Sequence, residues 1–292
     1  MKNSLLDLVK ANLLVKAIKQ KKELQSLTDD YVREQLLIYL KQHPLVADSL
    51  RLRFNPKSAL YKQALKEMRT QLRRIYGLFR TEEKMKEKPE TIALLLKNIN
   101  NQTLLERVLS FHSSTKERLL YYPELYQRIF KITGKPQSIL DLGCGINPFS
   151  IPFMTLRNLH YSAYDLSEEE IALLNSFFER WAQKNSSFLG KAAILDILNL
   201  HQLTLLAKTD VAFLFKITDV LDKGKGHAMT EEVIKAVPAN FLIISFATRT
   251  ISGKKMTAPR RRWMEWLCTR LNYKYNILEF ENEIFYVIEK GQ

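Results

Sequence analysis

The sequence predicts an α/β domain built on a mainly parallel sheet, preceded by an all-helical domain. Beyond Gly134, seven short runs rich in apolar, β-branched and aromatic residues predict strands: QSILDLG, LHYSAYD, KAAILD, TDVAFLFK, NFLIISFA, YKYNILEF and EIFYVIEK. Helical stretches separate most of these runs, and such alternation is typical of parallel strands covered by helices. Only Glu281 and Asn282 separate the last two runs, which therefore predict an antiparallel hairpin at one edge.

The first hundred residues show helical periodicity and no strand-like alternation. The stretches LLDLVKANLLVKAIKQKKEL, DDYVREQLLIYLKQ and ETIALLLKNI repeat apolar residues at helical spacing. Thr28, followed by two aspartates, is a start signal for the second of these helices. We therefore predict a helical domain over residues 1–108 and an α/β domain over residues 109–292.

Composition limits the class of protein. The chain has 292 residues, and none of its apolar runs approaches the ~18 residues needed to cross a membrane. The N-terminal MKNSLLDLVK lacks the features of a secretion signal. Two cysteines, Cys144 and Cys268, are too few for a disulfide framework. These observations predict a cytoplasmic protein without a membrane partner.

Basic residues are concentrated in one segment. The formal charge is +14, which favours a polyanionic partner. Residues 51–80 hold nine Lys or Arg and one acidic residue, Glu67, and from Ser58 onward they predict a helix. One face of that helix carries a cationic stripe, defined as Lys62, Lys66, Arg69 and Arg73. A solvated helix face is the alternative interpretation, but the scarcity of nearby acids favours contact with phosphate.

The stretch SILDLGCGINPF, residues 138–149, predicts a tight turn after the first strand of the sheet. Gly143 and Gly145 would let the backbone pass under a ligand without a Cβ in the way. Pro148 stands where a dinucleotide-binding turn carries its third glycine. A cofactor without a phosphate at this position is therefore favoured over a dinucleotide.

Five parallel strands followed by a hairpin resemble the seven-stranded, Rossmann-like sheet of S-adenosylmethionine-dependent methyltransferases. Asp165 ends the second run, where a carboxylate can accept both ribose hydroxyls of such a cofactor. Asp196 closes the third run and, with Ile197, would lie near the adenine. Any one of these aspartates could instead be a helix cap. Strand-end residues in the correct order favour the cofactor pocket.

A second stretch indicates a particular family among these methyltransferases. FHSSTKERL, residues 111–119, together with DLGCGINPF, VAFLFKITDVLD and ISFATRTISGK, resembles the aminoglycoside-resistance 16S ribosomal RNA methyltransferases. That family modifies N7 of a guanine in the decoding site of the 30S subunit. The resemblance covers residues 107 to about 290 and extends more faintly into the helical domain.

The resemblance implies a role for each matching position. Arg118 would hold the methionine carboxylate of S-adenosylmethionine. The remaining cofactor-binding positions would be His112, Ser114, Thr115, Gly143, Gly145, Asp165, Leu166, Asp196 and Ile197. Lys216, after the fourth strand, would be catalytic at the reaction face, with a solvated surface lysine as the alternative.

The resemblance also implies an RNA-binding surface. Arg249 would face RNA, and Arg260, Arg261 and Arg262 would hold the backbone near the target, although a basic helix start facing solvent is the alternative. The implied partner is 16S rRNA within the 30S subunit, bound by a monomer. No His/Cys cluster predicts a metal.

Three departures from the family pattern lie on the side that would face the target base. They are Thr218-Asp219, Phe246-Ala247 and the loop KKMTAPRRRWMEW. Guanine N7 carries a free lone pair, so its methylation requires alignment and no general base. The alternatives are a methyltransferase of the same fold acting on another RNA site, a protein or a small molecule, and a noncatalytic RNA-binding relict.

Overall fold

The computed structural model describes residues 6–76, 87–222, 226–250 and 253–291. Contacts divide these residues into two compact units. The first unit contains the described residues before position 77 together with Leu166–Glu168, and the second contains the remainder. The sequence predicts a boundary near residue 108, whereas the contacts group the helices after residue 87 with the second unit.

The first unit is helical, as predicted. Its helices are α1 (Leu8–Lys19), α2 (Asp29–Gln42), α3 (Pro44–Leu52) and α4 (Ala59–Tyr76). Side-chain oxygens cap three of them: Asp7 accepts from the Lys10 N–H at 2.8 Å, Thr28 accepts from the Tyr31 N–H at 3.0 Å, and Ser58 accepts from the Tyr61 N–H at 3.2 Å. Such caps satisfy N–H groups that have no partner inside a helix.

The second unit contains a seven-stranded sheet with the order β3-β2-β1-β4-β5-β7-β6. The strands are β1 (Ser138–Leu142), β2 (His160–Asp165), β3 (Leu189–Ile194), β4 (Thr209–Phe215), β5 (Ala239–Ala247), β6 (Lys274–Glu279) and β7 (Glu283–Glu289). The first five pair in parallel, and β7 pairs antiparallel with both β5 and β6. The predicted parallel sheet with a terminal hairpin is confirmed.

Helices connect and cover the strands. They are α5 (Lys88–Lys97), α6 (Gln102–Leu109), α7 (Ser113–Arg118), α8 (Tyr122–Thr133), α9 (Glu168–Lys184), α10 (Leu200–Thr204), α11 (Thr218–Leu221), α12 (Ala228–Ala236) and α13 (Arg262–Arg270), with a 3₁₀ segment over Asn147–Met154. Within the described ranges, no helix is long and apolar enough to span a membrane.

The two faces of the sheet bury separate hydrophobic clusters. Along β1, Ile139 belongs to one cluster, while Leu140 and Leu142 belong to the other, because successive strand residues point to opposite faces. Ile92 of α5 and Val108 of α6 are buried in the same cluster as Ile139. This shared core is the physical reason that α5 and α6 group with the sheet rather than with the N-terminal helices.

The topology creates a switch point between β1 and β4. The chain leaves β1 toward β2 on one side, and it returns to β4 on the other side. Ligands of open α/β sheets bind beyond the carboxyl ends of the strands at such a point. The glycine turn that follows β1 lies at this edge.

Candidate functional site

The turn after β1 requires both of its glycines. Gly143 and Gly145 have φ angles of +65° and +49°, in the left-handed region that side chains disfavour. A Cβ at Gly143 would lie 2.9 Å from Cδ1 of Ile217, and one at Gly145 would lie 3.2 Å from Nδ1 of His112. The bare backbone therefore lets Ile217 and His112 pack directly against the turn.

Asp165 fixes the geometry of this turn. Its Oδ2 accepts a hydrogen bond from the Gly145 N–H at 2.9 Å. Asp165 is the last residue of β2, which pairs with β1, so the carboxylate reaches the turn from the adjacent strand end. The structure thus brings together the two features from which the sequence predicted a cofactor pocket.

The third strand ends earlier than the predicted run KAAILD. β3 ends at Ile194, so Asp196 lies two residues beyond the strand, in a turn where its Oδ1 accepts from the Leu198 N–H at 2.9 Å. Ile197 is buried, and its Cδ1 lies 3.4 Å from the Cβ position of Gly143. Ile197 therefore lines the glycine turn, and Asp196 shapes the connection beside it.

Leu166, which the resemblance places among the cofactor-binding residues, directly follows Asp165. Its partly buried side chain packs against the hydrophobic cluster of the N-terminal helices. The next residue, Ser167, forms an isolated antiparallel bridge with Leu27.

Arg118 forms a buried ion pair that the sequence did not predict. Its Nε and Nη2 donate to the two carboxylate oxygens of Glu283 at 2.9 and 2.7 Å, and its guanidinium lies 4.7 Å from the centre of the Phe215 ring. Both charged residues are almost fully buried. Burial raises the pKa of Glu283, but Arg118 and Lys216 outweigh it and leave that pKa below its usual value.

Lys216 occupies a constrained position beside this pair. Its φ angle is +55°, and its backbone N–H donates to both the carbonyl and the hydroxyl oxygen of Ser245. Its Nζ donates to Glu117 at 2.5 Å and lies 3.5 Å from Glu283. Left-handed backbone at a non-glycine residue costs about 1–3 kcal/mol, and such costs concentrate at functional sites. The ammonium group is thus held between two carboxylates at the carboxyl edge of β4.

The segment before α7 is held by buried polar contacts. Nε2 of His112 lies 2.9 Å from the carboxylate of Glu170, which also receives a hydrogen bond from the buried Lys88 at 3.2 Å. The Thr115 hydroxyl donates to the carbonyls of Leu109 and His112. Thr115 therefore shapes the α7 start, while the partly buried Ser114 lies beside it.

A further carboxyl group lies beneath the glycine turn. Asp141 is buried, and its Oδ2 accepts from Asn147 at 2.9 Å and from the Tyr161 hydroxyl at 2.6 Å. Burial raises the pKa of Asp141 to about 6, although both hydrogen bonds act to lower it. The Tyr122 hydroxyl donates to Asn147, so a buried polar network supports the turn from below.

The cationic stripe on α4 divides into two pairs. Lys62 and Lys66 are exposed. Arg69 instead donates to the carbonyls of Ala17 and Ile18 at the end of α1, and Arg73 pairs with Glu23 at 2.6 Å. Glu23 is distant in sequence, so a count of acids within residues 51–80 could not reveal it.

The arginines after β5 also differ in their contacts and exposure. Arg249 donates to Asn282, Glu281 and the Gly253 carbonyl, and Arg260 pairs with Glu265 at 3.0 Å. Arg261 lies 5.2 Å from the centre of the Phe246 ring, and it donates to the carbonyls of Pro259 and Ala247. Arg262 is exposed at the start of α13. Arg261 therefore holds its loop together, whereas Arg262 is displayed at the surface.

Comparison with known proteins identifies the family. The profile of the ribosomal RNA methyltransferase (FmrO) family matches residues 61–287, which include the glycine turn and both members of the Arg118–Glu283 pair. The chain belongs to this family.

Relatives and solved structures agree with this membership. The 16S rRNA (guanine(1405)-N(7))-methyltransferase of Proteus mirabilis is 26% identical, and the alignment covers 78% of this chain and 85% of that protein. The enzyme of the same name from Micromonospora echinospora is 29% identical, with 78% and 82% covered. The 16S rRNA methyltransferase RmtF, solved in complex with S-adenosyl-L-homocysteine, shares the fold: the TM-score is 0.74 at 23% identity, covering 98% of this chain and 100% of that one.

The two cysteines of this rRNA methyltransferase are both buried. Burial raises the pKa of Cys144 well above its usual value and that of Cys268 to about 12. A thiol attacks as its thiolate, so neither side chain is a nucleophile at neutral pH.

Sequence reasoning missed the acidic members of the site: Glu117, Asp141, Glu170 and Glu283. A signal existed for Glu283, since it is a charged residue at the start of an apolar strand, EIFYVIE. β7 runs antiparallel to β5, so Glu283 pairs with Ala247 at the carboxyl end of β5. A predicted hairpin at that edge could have placed this carboxylate near the pocket.

Proposed function

We propose that this rRNA methyltransferase transfers the methyl group of S-adenosylmethionine to N7 of a guanine in the decoding site of 16S rRNA, within the assembled 30S subunit. The observation that carries the proposal is its alignment, over 78% of the chain, with relatives named 16S rRNA (guanine(1405)-N(7))-methyltransferase. The target in this protein would be the equivalent guanine.

The edge of β1 and β2 suits the adenosyl half of the cofactor. The glycine turn presents backbone without a Cβ of its own, and the Asp165 carboxylate beside it can accept hydrogen bonds from ribose hydroxyls. Ile197 supplies an apolar surface for the adenine, next to Asp196. When bound, the cofactor supplies an electrophilic methyl group on a sulfonium.

The methionine half of the cofactor would meet the charged cluster around Arg118. Two of the five N–H donors of its guanidinium are directed to Glu283. The contact with the cofactor carboxylate is therefore assigned to the other donors of Arg118, supported by His112 and Ser114. Glu283 acts as a positioning residue, because it fixes the plane of the guanidinium.

The proposed chemistry needs alignment rather than proton abstraction. Guanine N7 carries a lone pair, so transfer to it would need no base; the new nitrogen–carbon bond would replace the carbon–sulfur bond of the sulfonium, with the thioether as leaving group, and orientation of the two reactants would lower the barrier. Lys216 fits a positioning and electrostatic role, because Glu117 and Glu283 hold its ammonium group in place. The raised pKa values of Cys144 and Cys268 argue against pyrimidine C5 methylation through a cysteine nucleophile.

Exposed cationic side chains support binding to RNA. Lys62 and Lys66 on α4, and Arg262 on α13, are exposed and suited to phosphate. N7 lies in the deep major groove of A-form RNA, which side chains cannot read. The target guanine would therefore be unstacked and turned into the pocket.

The test is methylation of purified 30S subunits and of free 16S rRNA with labelled S-adenosylmethionine, followed by nucleoside analysis. We expect 7-methylguanine in the decoding region, formed on 30S subunits and poorly on free RNA. Methyladenine, or a methylated base elsewhere, would refute the target assignment. Calorimetry with the cofactor distinguishes an enzyme from a noncatalytic relict, which would bind none.

A further inference from the structure

One face of α13 displays cationic and aromatic side chains in a single row. The row consists of Arg262, Trp266 and Arg270, four residues apart, so neighbouring members lie on the same side of the helix about 6 Å apart along its axis. Trp266 is 71% exposed, and both arginines are also exposed. Most of the Trp266 ring is therefore accessible to a partner at the surface.

A groove runs beside this row, between α13 and the start of α12. Its volume is about 380 Å³, and it is lined by His227, Glu231, Trp263, Trp266 and Arg270 among others. This volume falls in the lower part of the range for small-molecule sites. The groove is therefore large enough for a group the size of a nucleoside.

The floor of the groove is held in place. His227 stacks on Trp263 with ring centres 3.7 Å apart and planes 11° apart, and Trp263 packs edge-on against the buried Phe246. On the other wall, Glu231 accepts hydrogen bonds from Arg270 and from Lys235. Trp266 thus projects beside side chains that a ring stack and ion pairs hold in place.

We propose that the α13 row is a second RNA-binding surface, on which an unpaired base of the RNA stacks against Trp266 while Arg262 and Arg270 contact the flanking phosphates. Aromatic side chains interleaved with cations are the arrangement by which proteins bind single-stranded nucleic acid. An unpaired nucleotide is required, because bases inside a duplex do not present their faces. The formal charge of +14 favours this partner over a cationic or neutral one.

This inference extends the proposed function, which supplies the RNA partner, but it can be tested separately. The probe is an unstructured twelve-nucleotide RNA, and the readout is its dissociation constant with the full-length protein. Loss of a base–aromatic stack converts to about a 5- to 150-fold increase in that constant. We expect such an increase for Trp266→Leu and a much smaller one for Trp266→Phe, which keeps a ring.

Matched controls come from the same unit. Leu205 is also 71% exposed, so Leu205→Ala should leave RNA binding unchanged. Arg107 pairs with Glu87 at the surface much as Arg270 pairs with Glu231. Arg270→Gln should reduce the salt dependence of binding by about one phosphate contact, and Arg107→Gln should not change it.

Several results would overturn the inference. Equal dissociation constants of the RNA probe for Trp266→Leu and Trp266→Phe would exclude ring stacking and refute the inference. Loss of self-association in Trp266→Leu, with RNA binding unchanged, would assign the face to a second copy of the chain. Failure of the wild-type protein to bind the probe would also refute it. Methylation of 30S subunits by the wild-type protein, measured in parallel, reports on the proposed function alone.

Discussion

Replacement of Glu283 by glutamine would leave the buried guanidinium of Arg118 without a charged partner. The wild-type pair is joined by hydrogen bonds of 2.9 and 2.7 Å, and both side chains are almost inaccessible to water. Glutamine keeps one oxygen that can accept from Arg118, but it removes the negative charge. Lys216, 3.5 Å from Glu283, loses the same attraction and keeps Glu117.

Breaking a buried ion pair by removing one partner costs about 3–5 kcal/mol. The Phe215 ring still covers Arg118, and one hydrogen bond can remain, so we expect the lower end of that range, about 3 kcal/mol. For a unit of this size each kcal/mol lowers the melting temperature by about 2–4 °C. The expected shift is therefore about 6–12 °C.

Thermal unfolding followed by circular dichroism measures this shift. Glu124→Gln is the matched control, because Glu124 forms an ion pair of 3.3 Å with Arg128 at the surface. Exposed pairs contribute about 0–1 kcal/mol, so the control should melt within a few degrees of wild type. Equal melting temperatures for Glu283→Gln and Glu124→Gln would refute the interpretation of a buried, charged pair.

A double variant adds a second check. Arg118→Met combined with Glu283→Leu removes both charges and leaves apolar groups of similar length. The two changes should then destabilise the protein by less than the sum of the single changes, because neither leaves an unpaired buried charge. Strict additivity would mean that the two side chains do not interact.

Three further outcomes are expected. Asp165→Ala should weaken binding of S-adenosylmethionine by about 1.5–3 kcal/mol in calorimetry, and an unchanged dissociation constant would remove Asp165 from the ribose role. The pKa of Asp141 rises from 3.8 to about 6 on folding, so the contribution of this carboxyl group to stability falls as pH rises from about 4 to 6. Asp141→Asn should lose this contribution, so the difference in unfolding free energy between wild type and variant should change over that range in denaturant titrations, and parallel pH profiles would contradict it. Replacing Lys62 and Lys66 together with alanine should lower the slope of log affinity for 30S subunits against log salt by about two, whereas an unchanged slope would make these lysines part of a solvated face.

Much of the fold follows from local patterns in the sequence. The apolar runs after Gly134, the hairpin around Glu281 and Asn282, and the helix start at Thr28 all appear where they were predicted. Periodicity and turn chemistry encode these elements, because each depends on residues close together in the chain. The spacing of Gly143 and Gly145 at a strand end belongs to the same class of signal.

The domain boundary depended on packing that periodicity does not show. Helical spacing alone cannot distinguish α5 and α6 from the helices that precede them. Their assignment follows from the core in which Ile92 and Val108 are buried, and that core contains Ile139 of the sheet. Helical periodicity placed the boundary at residue 108, whereas the contacts group α5 and α6 with the sheet.

The charged side chains show most clearly which features the sequence determines and which only the folded structure decides. The sequence identified Arg118, Lys216, Arg69 and Arg73 as functional cations, but it could not show which acceptors hold them. Glu283 meets Arg118 across 165 positions of the chain, and Arg73 meets Glu23 across 50. Electrostatic attraction acts through space and grows as water is excluded, so only the folded arrangement of strands and helices decides which charges are paired and which remain exposed to RNA.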